Sequence, residues 1–271
     1  MEKVPRFIDT TLRDGEQSPG VVFSLHEKIR ICTLLDRVGV PELEIGIPAM
    51  GRREMEEMHT LCSMGFGFKT IAWCRGNMKD IKLAARCGTG SVHVSFPVSS
   101  IHLKAMEKNE LWVLGHLLET MDEATSLFDF VSVGAQDASR ASSSFLKEFV
   151  EAARFAGANR IRLADTVGIL NPITTTELIS SVRIQCPDFP IEFHGHNDLG
   201  MATANTVSAF LAGASCLSTT VNGLGERAGN ASMDEVAMAL EFSAGVCQPL
   251  DTVHFSELGD YVAKVSGRRI S

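Results

Sequence analysis

The chain has 271 residues, of which 45% are hydrophobic and 21% charged, and its formal net charge is −8. This length suits one barrel of about 250 residues, and this composition excludes a disordered chain. The acidic balance, without a basic run, excludes nucleic acid as a partner, because phosphate binding requires clustered lysine and arginine.

The sequence predicts neither a membrane span nor a secretion signal. No stretch reaches the roughly 18 apolar residues of a membrane span, and the first six residues, MEKVPR, lack the apolar core of a secretion signal. The seven cysteines are scattered, and no C-x-x-C pair occurs among them. We interpret them as reduced packing residues, and we expect a cytoplasmic protein.

Short β-branched segments alternate with amphipathic helical segments along the chain. Eight βα units in sequence favour a closed parallel (β/α)8 TIM barrel, a single domain over residues 1–271. A doubly wound open sheet is the alternative, but it usually shows a Gly-rich phosphate turn after its first strand, and none occurs here. The predicted strands span residues 6–11, 42–47, 68–73, 91–96, 130–135, 160–164, 191–196 and 216–222.

Start and stop signals mark the helices between these strands. Residues 24–27 (SLHE) carry a capping-box pattern, and residues 174–177 (TTTE) predict a second capping box. Five glycines each precede a predicted strand by a few residues, as the glycine at a helix C-terminus does. They are Gly39, Gly65, Gly88, Gly157 and Gly213.

Several predicted strands are polar on one face and apolar on the other, since alternate residues point to opposite faces. The apolar face of a barrel strand meets the helices, so we expect the polar face in the lumen. Buried charge is costly unless it is paired or bound to metal. We therefore expect Arg13 and Arg162 to face the carboxylates of Asp9, Glu44 and Glu192 inside the barrel. The other polar positions on these faces are Thr11, Glu42, His93, Ser95, Thr166, His194, His196, Ser218, Thr220 and Asn222.

A pair of histidines with one residue between them, His194 and His196, ends the seventh predicted strand. Residues i and i+2 of a strand face the same way, so both imidazoles can meet one ion. Asp14 lies at the equivalent end of the first strand, where active sites of this fold are found. Together they predict a His₂-carboxylate site for Mg²⁺, Mn²⁺ or Zn²⁺, because no cysteine lies nearby.

Three longer segments carry a family resemblance. They are residues 12–17 (LRDGEQ) followed by Lys28, residues 194–205 (HGHNDLGMATAN) and residues 222–230 (NGLGERAGN). On these segments the chain resembles the 2-isopropylmalate synthase/homocitrate synthase family of DRE-TIM metallolyases, from about residue 4 to residue 270. Further segments most resemble the homocitrate synthases of nitrogen fixation: residues 44–51, 72–75, 95–103 and 132–140.

The resemblance implies an acyltransferase that condenses acetyl-CoA with 2-oxoglutarate and water to give homocitrate and CoA. It implies a divalent ion held by Asp14, His194 and His196, which chelates the oxo acid and polarises its ketone. Asn230 is then expected beside the ion's ligands or its bound water.

The resemblance also implies roles for substrate-side residues. Arg13 adds positive charge near the reacting oxygens, and Thr166 matches a hydroxyl that holds the carboxylate of the oxo acid. Glu44 and His93 are both candidates for the base that deprotonates the acetyl methyl group, and either could instead orient other groups.

Three further residues are expected at the substrate. Ser95 and Arg162 are predicted contacts, and Arg162 is a candidate cation for a second substrate carboxylate. Gln136 stands where relatives usually carry glutamate, so this position keeps hydrogen bonding but loses a titratable group. That departure predicts reduced activity or proton transfer by another residue.

Relatives continue into a C-terminal lid, and they are dimers. The resemblance therefore implies a homodimer and a lid that is absent from this chain or supplied by a second polypeptide, and we expect slow turnover from the barrel alone. Three alternatives stay open: a 2-isopropylmalate or citramalate synthase, a non-catalytic subunit, and a hydroxymethylglutaryl-CoA lyase. The lyase is disfavoured because residues 223–230 contain no cysteine.

Overall fold

The barrel predicted from the sequence is confirmed. A computed structural model describes residues 4–268, so the ends of the predicted domain 1–271, residues 1–3 and 269–271, lie outside the described residues. Eight parallel strands close into a barrel in chain order, with the last paired to the first. They are β1 (Arg6–Asp9), β2 (Glu42–Gly46), β3 (Lys69–Arg75), β4 (Ser91–Pro97), β5 (Phe130–Gln136), β6 (Arg160–Asp165), β7 (Ile191–Gly195) and β8 (Cys216–Thr219).

Helices connect these strands and cover the outside of the barrel. Short 3-10 turns follow several strands, and α9 continues into a π-helical turn at Ala239–Ser243. In the part of the chain that the structure describes, the α-helices are α1 (Leu25–Val38), α2 (Arg52–Ser63), α3 (Met78–Ala84), α4 (Ser100–Ala105), α5 (Glu110–Leu127), α6 (Ser143–Phe155), α7 (Pro172–Gln185), α8 (Ala202–Leu211), α9 (Met233–Met238) and α10 (Phe255–Ser266).

One of the two predicted capping boxes is confirmed and the other is wrong. Ser24 caps α1: its hydroxyl accepts from the Glu27 backbone N–H, and the Glu27 carboxylate accepts from the Ser24 N–H. The N-cap of α7 is Asn171, three residues before the predicted N-cap Thr174, and the Asn171 side chain accepts from the Thr174 backbone N–H. Asparagine is a strong N-cap, and Pro172 suits the first helical position because it needs no hydrogen-bond partner there.

The two faces of most strands lie as predicted. Ile161, Leu163, Phe193 and Leu217 are completely buried in the hydrophobic core that the barrel wall shares with the helices. The alternate positions of β2, β6 and β7 carry charged side chains that pair with each other across the lumen. The lumen of this barrel is therefore filled by ion pairs for much of its depth.

The prediction that Asp9 lies in the lumen is wrong. Phe7, two residues earlier on the same face of β1, packs in the core outside the barrel, whereas Ile8 joins a separate buried cluster with Ile71 and Cys216. The strand ends at Asp9, and the turn that follows carries Arg13 back into the lumen. Strand alternation cannot be extrapolated through a turn, which is why the prediction misplaced Asp9.

Asp9 is fully buried, and this burial makes the stability of the protein depend on pH. Burial, opposed by hydrogen bonds from Thr11, raises the pKa of the Asp9 carboxyl from 3.8 to about 7. The folded state therefore holds a proton that the unfolded state has lost between about pH 4 and pH 7. The free energy of unfolding must fall as the pH rises through this window, by up to about 1.4 kcal/mol per unit of pKa difference.

The variant Asp9→Asn is neutral at every pH, so it is expected to lack this decline. Urea unfolding of both proteins at about pH 5 and pH 8 measures the effect: the variant should gain stability over the wild-type protein at the higher pH. Parallel pH profiles of the two proteins would show that Asp9 titrates normally.

The cysteines are mostly packing residues, as predicted. All seven thiols are free, and five of them are buried, while Cys62 is part-buried and Cys247 is exposed. Burial, with a smaller contribution from the charge of Asp9, raises the pKa of the Cys32 thiol.

Across residues 4–268, no helix combines the length and the apolar character that crossing a membrane requires.

Candidate metal centre and active site

Asp14, His194 and His196 meet at the C-terminal end of the barrel. His194 lies in β7, His196 follows that strand, and Asp14 lies in the turn after β1. The two Nε2 atoms are 3.3 Å apart, and they lie 3.4 Å (His194) and 3.9 Å (His196) from Oδ2 of Asp14. All three side chains are buried. Within the described residues they are the only group of three or more histidine, cysteine or acidic side chains placed to share one ion.

Neighbouring side chains orient these three ligands. Nδ1 of His194 lies 2.9 Å from the Ser218 hydroxyl, and a proton on Nδ1 leaves the Nε2 lone pair free for a metal. The Asn230 amide donates to Oδ1 of Asp14 at 2.9 Å, while the buried Asn230 Oδ1 has no protein partner within residues 4–268. Asn230 therefore lies beside the predicted ligands, and its orphaned oxygen is suited to a bound water.

The glycine at position 225 makes the contact between Asn230 and Asp14 possible. A Cβ atom there would lie 2.1 Å from the Asn230 amide nitrogen and 3.0 Å from Oδ1 of Asp14. The third resembling segment, residues 222–230, thus supplies both the asparagine and the space that it occupies.

The electrostatic setting favours the protonation states that bind a cation. Burial alone would raise the pKa of Asp14, but the charge of Arg13 and the contact with His194 lower it well below its ordinary value. Burial lowers the pKa of His194, and it lowers that of His196 to about 4. Near neutral pH the group is an ionised carboxylate with two neutral imidazoles, and this donor set fits a divalent ion.

Glu44 is enclosed between two arginines below the metal ligands. Its Oε2 accepts from Nε of Arg13 at 2.6 Å, and its Oε1 accepts from Arg162. Burial would raise the pKa of Glu44, but Arg13 and Arg162 lower it well below its ordinary value. Glu44 is completely buried and absent from the lining of the cavity described below, so it is placed to orient arginines and not to take a proton from a substrate.

A cavity of about 120 Å³ opens beside the metal ligands. Every predicted substrate contact lines it: Arg13, His93, Ser95, Gln136, Arg162 and Thr166. Nδ1 of His93 lies 3.0 Å from the Ser132 hydroxyl. Burial, followed by the charge of Arg162, lowers the pKa of His93 well below its ordinary value, so this imidazole is neutral. The Thr166 hydroxyl accepts from the Asp137 backbone N–H at 2.9 Å, which fixes it at the cavity wall.

Several residues of this site were not predicted from the sequence. Gln17 and Glu226 line the cavity, although both lie inside segments that carry the family resemblance. Trp73 lines it too, with the guanidinium carbon of Arg13 5.7 Å from its ring centroid. Strand parity was a usable signal for Ser132, which faces the lumen two residues before Gly134, whereas Ser218 was predicted to face the lumen but was given no role.

The fold and the site together define a class of protein: a TIM barrel with a candidate His₂-carboxylate metal centre at the C-terminal ends of its strands. Comparison with known proteins agrees, since the HMGL-like family matches residues 4–262. The chain belongs to the HMGL-like family.

Two relatives at equal identity carry different synthase names. The chain is 44% identical over 268 residues to 2-isopropylmalate synthase 2 of Caldanaerobacter subterraneus subsp. tengcongensis, covering 98% of this chain and 70% of the relative. It is also 44% identical over 263 residues to homocitrate synthase 1 of Nostoc sp., covering 97% of this chain and 70% of that relative.

Solved structures match the same fold. The HMG-CoA lyase of Bacillus subtilis superimposes with a TM-score of 0.88 over 99% of this chain and 95% of that chain, at 20% identity. A likeness at this identity supports the barrel architecture alone.

Proposed function

We propose that the protein is a homocitrate synthase. In this reaction the methyl carbon of acetyl-CoA forms a bond to the ketone carbon of 2-oxoglutarate, and water then cleaves the thioester to release CoA. The polar lining of the 120 Å³ cavity carries the proposal, because a dicarboxylic oxo acid needs polar partners along its whole length. Apart from the metal ligands, the polar side chains of this lining include His93, Ser95, Gln136, Arg162 and Thr166.

Asp14, His194 and His196 would hold a divalent ion, Mg²⁺, Mn²⁺ or Zn²⁺, which when bound supplies a Lewis acid for the ketone oxygen. Arg13 is placed to add a second positive charge. Its Nε donates to Glu44, and its Nη1 donates to Asp14. Among residues 4–268 no group accepts a hydrogen bond from Nη2, so this atom is available to donate to the substrate. A preorganised guanidinium stabilises negative charge as it develops on the substrate oxygens.

His93 is the proposed acceptor of the methyl proton. It is neutral, it lines the cavity, and a proton on Nδ1 shared with Ser132 would leave Nε2 free on the side of Gly134. Glu226 is the other candidate, since it also lines the cavity and is no candidate metal ligand. Gln136, in the place of a glutamate, would contribute hydrogen bonds without transferring protons.

Acetyl-CoA would approach through a neighbouring cavity of about 290 Å³. Arg13 and Gln17 line both cavities, so the second cavity adjoins the reacting centre. The exposed apolar side chains of Val22 and Met50 lie along it and suit the aliphatic part of a pantetheine arm. A homodimer, a lid from a second polypeptide and a cytoplasmic location remain predictions from the sequence.

The test is acetyl-CoA-dependent thiol release by protein loaded with Mn²⁺ or Mg²⁺, with a panel of 2-oxo acids. Release specific to 2-oxoglutarate is expected. A preference for 2-oxoisovalerate or pyruvate would support the proposed condensation but contradict the assignment of 2-oxoglutarate as the substrate. No thiol release with any acid from metal-loaded protein would contradict catalysis by this chain alone. 2-Isopropylmalate synthase is the second candidate, because the Caldanaerobacter relative of that name is as similar as the Nostoc homocitrate synthase.

Gly134 provides a separate check on the role of His93. A Cβ atom at position 134 would lie 2.5 Å from Nε2 of His93, so Gly134→Ala must displace the imidazole. We expect turnover to fall about 100-fold, as misplacement of a reacting group by about 1 Å commonly does. Mn²⁺ affinity should be unchanged, because the metal ligands lie in the turn after β1, in β7 and just after β7, and none lies on β5. Normal turnover of the alanine variant would remove His93 from the reaction.

A further inference from the structure

Eight charged side chains form one continuous line of ion pairs through the lumen, from the N-terminal end of β1 to the candidate metal centre. Guanidinium and carboxylate groups alternate, so the formal charges cancel along the line. In order, the line consists of Arg6, Glu42, Arg160, Glu192, Arg162, Glu44, Arg13 and Asp14.

Glu192 lies in the middle of this line and has no role in the proposed reaction. Its Oε1 accepts from Nε of Arg162 at 2.6 Å, and its Oε2 lies 2.8 Å from Nε of Arg160. The side chain is completely buried, and it is not among the residues that line the substrate cavity. A buried carboxylate at this position can therefore act on the site only through its neighbours.

We propose that Glu192 is a positioning residue that keeps Asp14 available to the divalent ion. It acts through Arg162, Glu44 and Arg13. The inference rests on the metal part of the proposed function and is independent of which oxo acid is the substrate.

Neighbouring guanidinium groups share the carboxylates of this line. Glu44 divides its two oxygens between Arg13 and Arg162, and Arg162 has Glu192 as its other carboxylate. With a neutral side chain at position 192, Arg162 would depend on Glu44 alone and would draw it away from Arg13. In a buried, low-dielectric lumen, a guanidinium that has lost one carboxylate partner pairs more strongly with the nearest remaining carboxylate.

For Arg13, that remaining carboxylate is Asp14. Nη1 of Arg13 already lies 2.6 Å from Oδ2 of Asp14, and this same oxygen lies 3.4 Å from Nε2 of His194. A stronger ion pair between Arg13 and this oxygen weakens cation binding in two ways, because it occupies a ligand atom and adds positive charge beside the ion. Glu192 thus controls the competition between Arg13 and the metal for one carboxylate oxygen.

The experiment measures Mn²⁺ binding to the whole chain by electron paramagnetic resonance, without substrate. Glu192→Gln preserves shape and removes the charge, and we expect its Mn²⁺ dissociation constant to rise about tenfold, in the range for residues that support metal ligands. The matched control is Glu42→Gln, which breaks the same kind of bridge, between Arg6 and Arg160, farther from Asp14. Its Mn²⁺ affinity should stay within about twofold of the wild-type value.

A purely structural role for Glu192 would lower the unfolding temperature of both variants without changing Mn²⁺ affinity in either. If Glu192→Gln folds poorly, the double variant Arg160→Gln/Glu192→Gln restores the charge balance while still withholding a carboxylate from Arg162, and it should retain the weakened binding. Wild-type affinity in the folded single or double variant overturns the inference and leaves the proposed function standing. A wild-type chain that binds no Mn²⁺ overturns both the inference and the metal part of that function.

Discussion

His194→Ala is expected to lose metal and, with it, acetyl-CoA-dependent thiol release, by at least about 1,000-fold. The imidazole supplies one of the three ligand atoms found within residues 4–268, and Asp14 and His196 alone leave a weak two-ligand site. Removing His194 also leaves Oδ2 of Asp14 with Arg13 as its strongest partner, which further disfavours a cation. The measurements are metal content after dialysis and thiol release at saturating substrate.

Ser218→Ala is the matched control for this prediction. It removes the hydroxyl that lies 2.9 Å from Nδ1 of His194 but leaves all three ligands in place. We expect Mn²⁺ affinity to fall about 10-fold to 100-fold and activity to recover at high Mn²⁺ concentration. Activity in metal-free His194→Ala equal to that of the wild-type protein would exclude the metal centre from the reaction.

Arg13→Lys is expected to reduce turnover about 100-fold to 1,000-fold although it preserves the charge. The guanidinium serves Glu44 with Nε and Asp14 with Nη1 and still has Nη2 to offer to the substrate. A lysine ammonium is a single point and cannot span the two carboxylates in this geometry. The buried Glu44 would lose one of its two partners, so the variant should also be less stable.

Steady-state kinetics and thermal unfolding test this second prediction. Arg52→Lys is its control, because Arg52 is an arginine with a side chain 91% exposed and paired only to Glu56 within the described chain. That variant should match the wild-type protein in both measurements. If Arg13→Lys kept full turnover, charge alone would be sufficient at position 13, and the argument from guanidinium geometry would fail.

Much of the fold could be predicted from the sequence because its signals are local. The alternation of β-branched and amphipathic segments predicted eight strands, and all eight are present. Two-residue periodicity predicted that Glu44, Arg162 and Glu192 face inward, and the H-x-H pattern predicted that His194 and His196 share a face. Capping chemistry predicted the start of α1, whereas the start of α7 was misplaced because Asn171 and Pro172 outweigh the threonines that follow.

The composition of the site was also predictable, since strand ends in a barrel converge at one face. Asp14 was predicted to meet the two histidines although they follow it by 180 and 182 residues, and the structure places the three ligand atoms within 4.8 Å of one another. The family resemblance added expected roles for Asn230, which lies beside a ligand, and for Thr166, which lies at the cavity wall.

The pairing inside the lumen was decided by the tertiary structure. Sequence periodicity assigns a face but no partner, so it could not tell that Glu44 is enclosed by Arg13 and Arg162. It also could not tell that the Asp9 side chain faces away from the lumen, on the side of Phe7 and Leu43. Those outcomes depend on the stagger between neighbouring strands and on the turn after β1, which set the distances at which buried charges meet. The sequence determined which charged residues are present. Their roles were determined only by the closed barrel, because Coulomb energy in a buried lumen changes steeply with ångström-scale distances.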